Sequence, residues 1–178
     1  LDVLDEFPGT DRTVGEELLT VHRSYLKMLE GPLNAGVVHG LAHVTGGGIP
    51  GNLPRVLPRG LGAIVDRDAW PVPGVFQTLQ EAGGVDRSEM DRVFNMGVGM
   101  LVVVAPGDAA AINDAAREYG FESWTIGTVG AGSEVTKLLE VNLRKLRLLE
   151  AMDGIGGDKP NKAGSGGDIT LRLTSPQA

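Results

Sequence analysis

Three consecutive glycines at residues 46–48 follow an apolar segment, residues 37–45, whose pattern predicts a buried strand. Glycine has no side chain and tolerates positive φ, so successive backbone N–H groups in such a turn can converge on one anion. The structural alternative is a tight turn that binds nothing. Because both interpretations need the same glycines, the neighbouring side chains have to distinguish them.

Polar groups just beyond the glycines favour the anion site. Asn52 can cap a short helix in which Pro54 takes an early position, where its missing N–H costs no hydrogen bond. Arg55 brings a planar, permanently charged guanidinium close to the turn. Strand, glycine turn, helix start and arginine together predict a phosphate-binding site. The residues expected to contact phosphate there are Thr45, Gly46, Gly47, Gly48, Asn52 and Arg55.

Composition excludes several classes of protein. The chain has 178 residues, enough for one domain with a sizeable core, and a net charge of −7. An acidic balance with only four Phe, two Tyr and two Trp argues against nucleic-acid binding, which favours a basic face and stacking aromatics. The chain has no cysteine, which excludes disulfides and thiolate sites. It also lacks an apolar run of about 18 residues and a basic leader, so we expect a cytoplasmic protein without a membrane partner.

The alternation of strand and helix patterns predicts the fold class. It favours an α+β fold with α/β/α layers, in which helices flank a mixed β-sheet. The predicted strands are residues 37–45, Leu61–Asp66, 97–105 and 123–129, and the predicted helices are residues 16–19, 73–83, 86–94 and 108–120. In the helix that begins at Pro73, Val75, Phe76, Leu79 and Ala82 are expected to face inward.

Two further segments, one near the N-terminus and one near the C-terminus, are also predicted to form helices. Thr20 is predicted to be the N-cap of a helix, and Gly31-Pro32 should end that helix. The apolar side of the helix is formed by Tyr25, Leu26, Met28 and Leu29. Near the C-terminus, residues 134–152 have a leucine-rich helical stripe that needs a cover. A flexible Gly-rich linker should follow at residues 153–168, and residues 169–174 alternate as an edge strand does.

Five blocks of sequence occur in an order and spacing typical of one enzyme family. They are Leu-Thr-Val-His-Arg-Ser-Tyr at 19–25, His-Val-Thr-Gly-Gly-Gly at 43–48, Asn-Leu-Pro-Arg-Val-Leu-Pro at 52–58, the Trp-Pro-Val-Pro-Gly segment with its helix at 70–83, and Phe-Asn-Met-Gly-Val-Gly-Met at 94–100. Together they resemble the C-terminal domain of phosphoribosylformylglycinamidine cyclo-ligase, also called AIR synthetase. Val21 stands where that family usually has proline.

The resemblance implies an ATP-dependent ring closure in purine biosynthesis. ATP activates the amide oxygen of formylglycinamidine ribonucleotide, a nitrogen of the same molecule attacks, and aminoimidazole ribonucleotide, ADP and phosphate leave. It also implies ATP and Mg²⁺ as cofactors, held mostly by an N-terminal domain that these residues lack, and a homodimer in the full-length family. This chain would then supply the substrate-side domain and be inactive alone.

The resemblance also adds residues to the predicted site. His43 is expected to contact substrate or transfer a proton, although a histidine on a buried strand is more often a core residue. Asn95, Gly97 and Gly99 would form a second wall of the substrate cleft, or would simply let backbones pack closely. Arg23 is expected to bind an anionic group for a separate reason, because it lies near a predicted helix start, where the positive end of the helix dipole is close.

Other readings of the same features stay open. His22 is more simply a solvated surface histidine, and no spacing of ligands predicts a metal site. Residues 1–132 are expected to form the domain that resembles AIR synthetase, and residues 133–178 to be a segment without counterpart. The chain could instead be a non-catalytic module that binds a phosphate ligand or assembles with a partner, or another member of the same ATP-binding superfamily.

Overall fold

The computed structural model describes residues 1–131 with their side chains, and the backbone of residues 137–139 and 167–173. The helices are α1 (Val14–Leu18), α2 (Leu26–Asn34), α3 (Gly48–Asn52), α4 (Gly74–Gly83), α5 (Arg87–Val93) and α6 (Ala109–Glu118). The strands are β1 (Val38–His43), β2 (Leu61–Asp66), β3 (Val98–Val104), β4 (Glu122–Ala131), β5 (Lys137–Leu139) and β6 (Gly167–Leu173). A short 3₁₀ helix at Leu53–Arg55 follows α3, and another at Pro106–Asp108 precedes α6. Among these described helices, none has the length and apolar character needed to cross a membrane.

The strands form one mixed sheet in the order β1-β3-β6-β4-β2-β5. Neighbouring strands are antiparallel except β2 and β5, which are parallel. Side chains of β3 alternate between two cores. Leu101 and Val103 pack with Trp70, α3 and its 3₁₀ helix, whereas Val102 and Val104 pack with α2 and α6. Helices therefore cover both faces, and the predicted α+β class with a mixed, helix-flanked sheet is confirmed.

The C-terminal strands differ from the sequence-based predictions. β6 lies between β3 and β4, with Ile169 opposite Val103 and Thr170 opposite Thr125, so the prediction of an edge strand is wrong. Lys137–Leu139 pairs with β2 as strand β5, where the leucine stripe predicted helix. A short apolar run is compatible with either structure, and here the open edge of β2 offers unpaired backbone groups. The rest of the predicted helix and most of the predicted linker lie outside the described residues, and the division at residue 132 stays a prediction.

Helix α2 begins later and ends later than predicted. Residues 20–25 are not helical, so Thr20 is not an N-cap, and Tyr25 takes that position. The helix also continues through Pro32 to Asn34. Proline removes only its own N–H, and the Ala35 N–H still donates to the Gly31 carbonyl at 2.9 Å, so the last turn stays bonded. Of the predicted apolar side, Tyr25, Met28 and Leu29 are buried, whereas Leu26 is exposed, so the prediction is wrong for Leu26.

Helix α4 has the predicted ends but not the predicted burial. Pro73 precedes it, and Gly84 terminates it in the left-handed conformation, with φ of 58°. None of its residues is buried, and Ala82, which was predicted to face inward, is exposed. The helix contacts α5, where the ring centroids of Phe76 and Phe94 lie 5.9 Å apart. Its apolar stripe is therefore only half covered.

Candidate functional site

The glycine turn lies at the end of β1, and its three glycines have different surroundings. Gly47 and Gly48 have positive φ values of 98° and 59°. Gly48 is buried, and a Cβ there would overlap the backbone carbonyl oxygens of Asp91 and Phe94. Gly46 is exposed, and a Cβ there would meet no atom within 4 Å. Close packing thus requires glycine at position 48, whereas the side of the turn at Gly46 faces solvent.

Asn52 holds the turn from inside. Its side chain is buried, and its Nδ2 donates to the carbonyls of Gly48, Gly46 and Thr45 at 2.8, 3.3 and 3.4 Å. The predicted capping role is wrong, because this side chain makes no hydrogen bond to the N-terminus of the following 3₁₀ helix. The amide instead donates to the turn's own carbonyls, of which the Gly48 carbonyl is buried and needs a donor. Pro54 does take the early helical position predicted for it.

The turn's N–H groups are only partly used. The Gly48 N–H donates to the Thr45 carbonyl at 3.1 Å. Within residues 1–131, the N–H groups of Gly46 and Gly47 take part in no hydrogen bond. Since the Asn52 amide draws the turn's carbonyls inward, an anion can meet adjacent N–H donors on the solvent side.

The segment 95–99 lies directly against the glycine turn. The Asn95 Oδ1 accepts from the Gly97 N–H at 3.0 Å, which shapes a tight turn in which Met96 adopts a positive φ of 51°. The Val44 N–H donates to the Gly99 carbonyl at 2.9 Å, so the two segments are joined at the sheet. Gly99 is buried, and a Cβ at this position would overlap the Tyr25 hydroxyl, so the close approach of Tyr25 requires glycine here. The two predicted walls of the substrate cleft, the glycine turn and the 95–99 segment, are therefore adjacent in the structure.

An open cleft lies beside the contact between these segments. It is lined by Ile49, Trp70, Asp91, Phe94, Asn95 and Met96. The Trp70 indole Nε1 donates to the Met96 carbonyl at 3.1 Å and so fixes the strained turn. Asp91 is buried and forms an ion pair with Arg67. The cleft therefore adjoins Asn95, and it reaches the glycine turn only at Ile49, the residue that follows Gly48.

His43 has a histidine partner that sequence reasoning treated as a surface residue. The Nε2 atoms of His43 and His22 lie 3.1 Å apart, within hydrogen-bonding distance, and the ring centroids are 4.8 Å apart. Tyr25 supports both rings, edge-on to His22 at 5.5 Å and tilted to His43 at 6.3 Å. Both histidines are exposed. The available signal was that His22 belongs to the block at 19–25.

The two predicted arginines have different settings. Arg23 is engaged away from the glycine turn: its guanidinium lies 4.0 Å from the Phe121 ring centroid and donates to the Gly120 carbonyl at 3.2 and 3.3 Å. Arg55 is exposed at the end of its 3₁₀ helix and has no hydrogen bond or ion pair among the described residues. The structure therefore groups His43, the glycine turn, Asn52 and the 95–99 segment, while Arg23 lies on a neighbouring aromatic platform.

A metal site is not evident in the part of the chain described here. No three His, Asp or Glu side chains among those residues lie close enough together to hold an ion. Sequence reasoning also missed Trp70 and Asp91 as parts of the site. Trp70 belongs to a resembling block, but nothing local marks Asp91, which reaches the turn only through the packing of α5 on α3.

Several curated relatives of the chain are named phosphoribosylformylglycinamidine cyclo-ligase. The matches include 47% identity over 122 residues to phosphoribosylformylglycinamidine cyclo-ligase of Anaeromyxobacter sp. (strain Fw109-5), covering 68% of this chain and 36% of the relative. The Sorangium cellulosum cyclo-ligase is 44% identical over 137 residues, covering 76% and 39%. The chloroplastic enzyme of Arabidopsis thaliana is 39% identical over 136 residues, covering 76% and 35%. The chain thus spans less than two-fifths of the length of these relatives.

A family profile matches most of the chain. The profile is described as AIR synthase related protein, C-terminal domain, and it covers residues 2–139. The match includes β1, the glycine turn, the 95–99 segment and both histidines. The resemblance inferred from the sequence blocks is therefore confirmed. This chain belongs to the AIR synthase related protein family, as its C-terminal domain.

Proposed function

We propose that this chain supplies the substrate-side domain of an ATP-dependent cyclo-ligase that closes formylglycinamidine ribonucleotide to aminoimidazole ribonucleotide. The support is the family membership together with one structural observation. That observation is the pair of adjacent N–H groups at Gly46 and Gly47, which no acceptor within residues 1–131 uses. Full-length relatives carry the cyclo-ligase name, and this chain matches only part of them.

In this proposal the glycine turn binds phosphoryl oxygens of the ribonucleotide. Asn52 holds the turn's carbonyls inward, so Thr45, Gly46 and Gly47 present their outer side to the ligand. Arg55 adds a charge-assisted contact, which is stronger than a neutral hydrogen bond. The role of Gly48 and Gly99 is to allow close packing that keeps the turn and the 95–99 segment in place, while Gly97 permits the positive φ of 89° in that segment. Preorganised donors of this kind bind developing negative charge without reorganisation.

His43 is the proposed proton acceptor, since ring closure requires that the attacking nitrogen lose a proton. Asn95 is proposed to line the nucleotide cleft with Trp70. Arg23 is proposed to bind an anionic group of the substrate at the edge of its aromatic platform, because a guanidinium over a ring keeps donor directions free.

ATP and Mg²⁺ are the cofactors proposed for the complete enzyme, where they would activate the amide oxygen. The described residues do not fit a Mg²⁺ site, because they contain no suitable group of three carboxylates or imidazoles. The roles proposed for this chain are therefore nucleotide binding and proton transfer, and we expect no turnover by the chain alone. Its proposed partner is an N-terminal ATP-binding domain, and the proposed complete protein is a cytoplasmic homodimer.

Calorimetric titration with formylglycinamidine ribonucleotide tests the binding role. We expect the chain to bind it, and Arg55→Ala to weaken binding about tenfold or more, as loss of a charge-assisted phosphate contact should. Arg59→Ala is the matched control, since Arg59 is a nearby exposed arginine outside the proposed site. Equal effects of the two substitutions would contradict a specific role for Arg55. No binding by the wild-type chain would instead favour a non-catalytic assembly module.

A second candidate is another activity within the same ATP-binding superfamily. The observation that favours it is the family description itself, which covers proteins related to AIR synthase. Melting temperatures measured with a panel of phosphorylated ligands distinguish the two, because a ligand that binds the native state raises the melting temperature. The cyclo-ligase proposal requires that the formylglycinamidine nucleotide give the largest rise.

A further inference from the structure

We propose that His22 and His43 form a neutral proton relay, in which His22 is a positioning residue that sets the protonation of His43. This inference rests on the proposed cyclo-ligase function, because it assigns the path of the proton lost during ring closure. Its structural basis is the 3.1 Å approach of the two Nε2 atoms. That distance requires a shared proton, because two lone pairs or two N–H groups would repel one another.

One shared proton fixes complementary forms of the two rings. A neutral imidazole carries one N–H and one lone pair. If the His43 Nε2 donates, its Nδ1 holds a lone pair and is a base, while His22 must accept at Nε2 and carry its proton on Nδ1. The pair therefore presents a basic Nδ1 on one ring and an acidic Nδ1–H on the other.

The transfer balances without creating a charge on the pair. The attacking nitrogen gives its proton to the Nδ1 of His43 as the new bond forms. The proton on the His43 Nε2 passes to the Nε2 of His22, and the proton on the His22 Nδ1 leaves to water. His22 is exposed, so water can reach it. Both rings end neutral in the opposite tautomers, ready to be reset by water.

The surroundings hold the two rings in this arrangement. Tyr25 is buried, lies edge-on to His22 and stacks on Phe121 at 5.7 Å. Next along the chain, Arg23 is tied to the Gly120 carbonyl and to the face of Phe121. Segment 20–25 has no helical bonds of its own, so these contacts determine where His22 lies.

Nitrogen-15 NMR of the histidine rings tests the relay on the chain itself. The chain has only three histidines, and exposed His39 is an internal control on the same strand as His43. At about pH 8, where ordinary histidines are neutral, we expect His22 and His43 to show opposite tautomers, or a matched exchange average of them. His22→Phe keeps a ring beside Tyr25 and should change the His43 ring spectrum, whereas His39→Gln should not. Identical tautomers on both rings, or an unchanged His43 spectrum in His22→Phe, would overturn the relay.

Addition of formylglycinamidine ribonucleotide separates this inference from the proposed function. At a concentration that saturates binding in calorimetry, we expect the Nδ1 signal of His43 to shift and that of His39 to stay. Binding without any change at His43 would overturn the relay and leave the proposed nucleotide-binding role intact. No binding at all would overturn the proposed function, and with it the assignment of the relay to ring closure, whatever the tautomers.

Discussion

Gly48 is the most tightly packed residue of the glycine turn. Its φ of 59° is one that other residues rarely adopt, and its missing Cβ leaves room for the carbonyls of Asp91 and Phe94. Gly46, two residues earlier, has neither constraint. One residue therefore joins α3 to α5, while its neighbour leaves a backbone donor open to solvent.

Gly48→Ala should destabilise the domain by about 2–4 kcal/mol, because it combines backbone strain with overpacking against carbonyls that cannot move independently. The measurement is urea unfolding followed by circular dichroism. Gly46→Ala is the control and should change the free energy of unfolding by less than about 0.5 kcal/mol. If the two variants had equal stability, the close contact with α5 would not be the reason for glycine at position 48.

At the scale of elements, α1 shows how local hydrogen bonds set a helix start. Thr13 and Glu16 form a capping box: the Glu16 N–H donates to the Thr13 hydroxyl at 3.2 Å, and the Thr13 N–H donates to the Glu16 Oε2 at 2.9 Å. The bonds from the Thr13 backbone and then its hydroxyl hold the pKa of Glu16 below its usual 4.5. Because the ionised form is favoured in the folded state, its contribution is present above the unfolded pKa and is lost as pH falls through the folded value.

Glu16→Gln should therefore destabilise the domain at about pH 7, and the difference from wild type should shrink as the pH falls below the ordinary carboxylate range of about 4.3. Urea unfolding at a series of pH values measures this difference. Glu30→Gln is a suitable control, because Glu30 is exposed and lies outside any capping box. A difference that did not vary with pH would mean that the charge of Glu16 plays no part in the cap.

At the scale of the whole molecule, the position of β6 determines which residues complete the sheet. β6 pairs with both β3 and β4, and β3 carries side chains of both cores. Residues 167–173 are far from β3 and β4 in sequence, yet they close the gap between them. The N-terminal part of the chain therefore depends on backbone pairing with a strand near the C-terminus.

Deletion of residues 140–178 should lower both the urea midpoint and the slope of unfolding, since β3 and β4 would lose a shared partner and the sheet would bury less surface. Equilibrium unfolding of residues 1–139 beside the full chain measures both quantities. An unchanged midpoint and slope would show that β6 contributes no stability and that the two halves of the sheet are stable without it.

Much of the fold and part of the site were predictable from short-range patterns. Apolar runs and turn residues act locally, and they were enough to predict three features. These are the bounds of β2, the end of α4 at Gly84, and the strand that leads into the glycine turn. The role of Asn52 was not predictable from the sequence. Its side-chain amide could either cap the following helix or donate to the carbonyls of the glycine turn, and only the three-dimensional positions of these groups determine which it does. The partnership of His22 with His43 was missed for a similar reason, since the segment that carries His22 has no regular structure of its own.

By itself, the sequence determined the family, the α+β class and the location of a glycine turn at a strand end, because these depend on residue types at fixed spacing. Only the tertiary structure decided the central place of β6, the inward use of Asn52 and the pairing of two histidines. Each of these depends on contacts between residues distant in sequence, where several partners of similar chemistry compete and the packing of the whole sheet selects one.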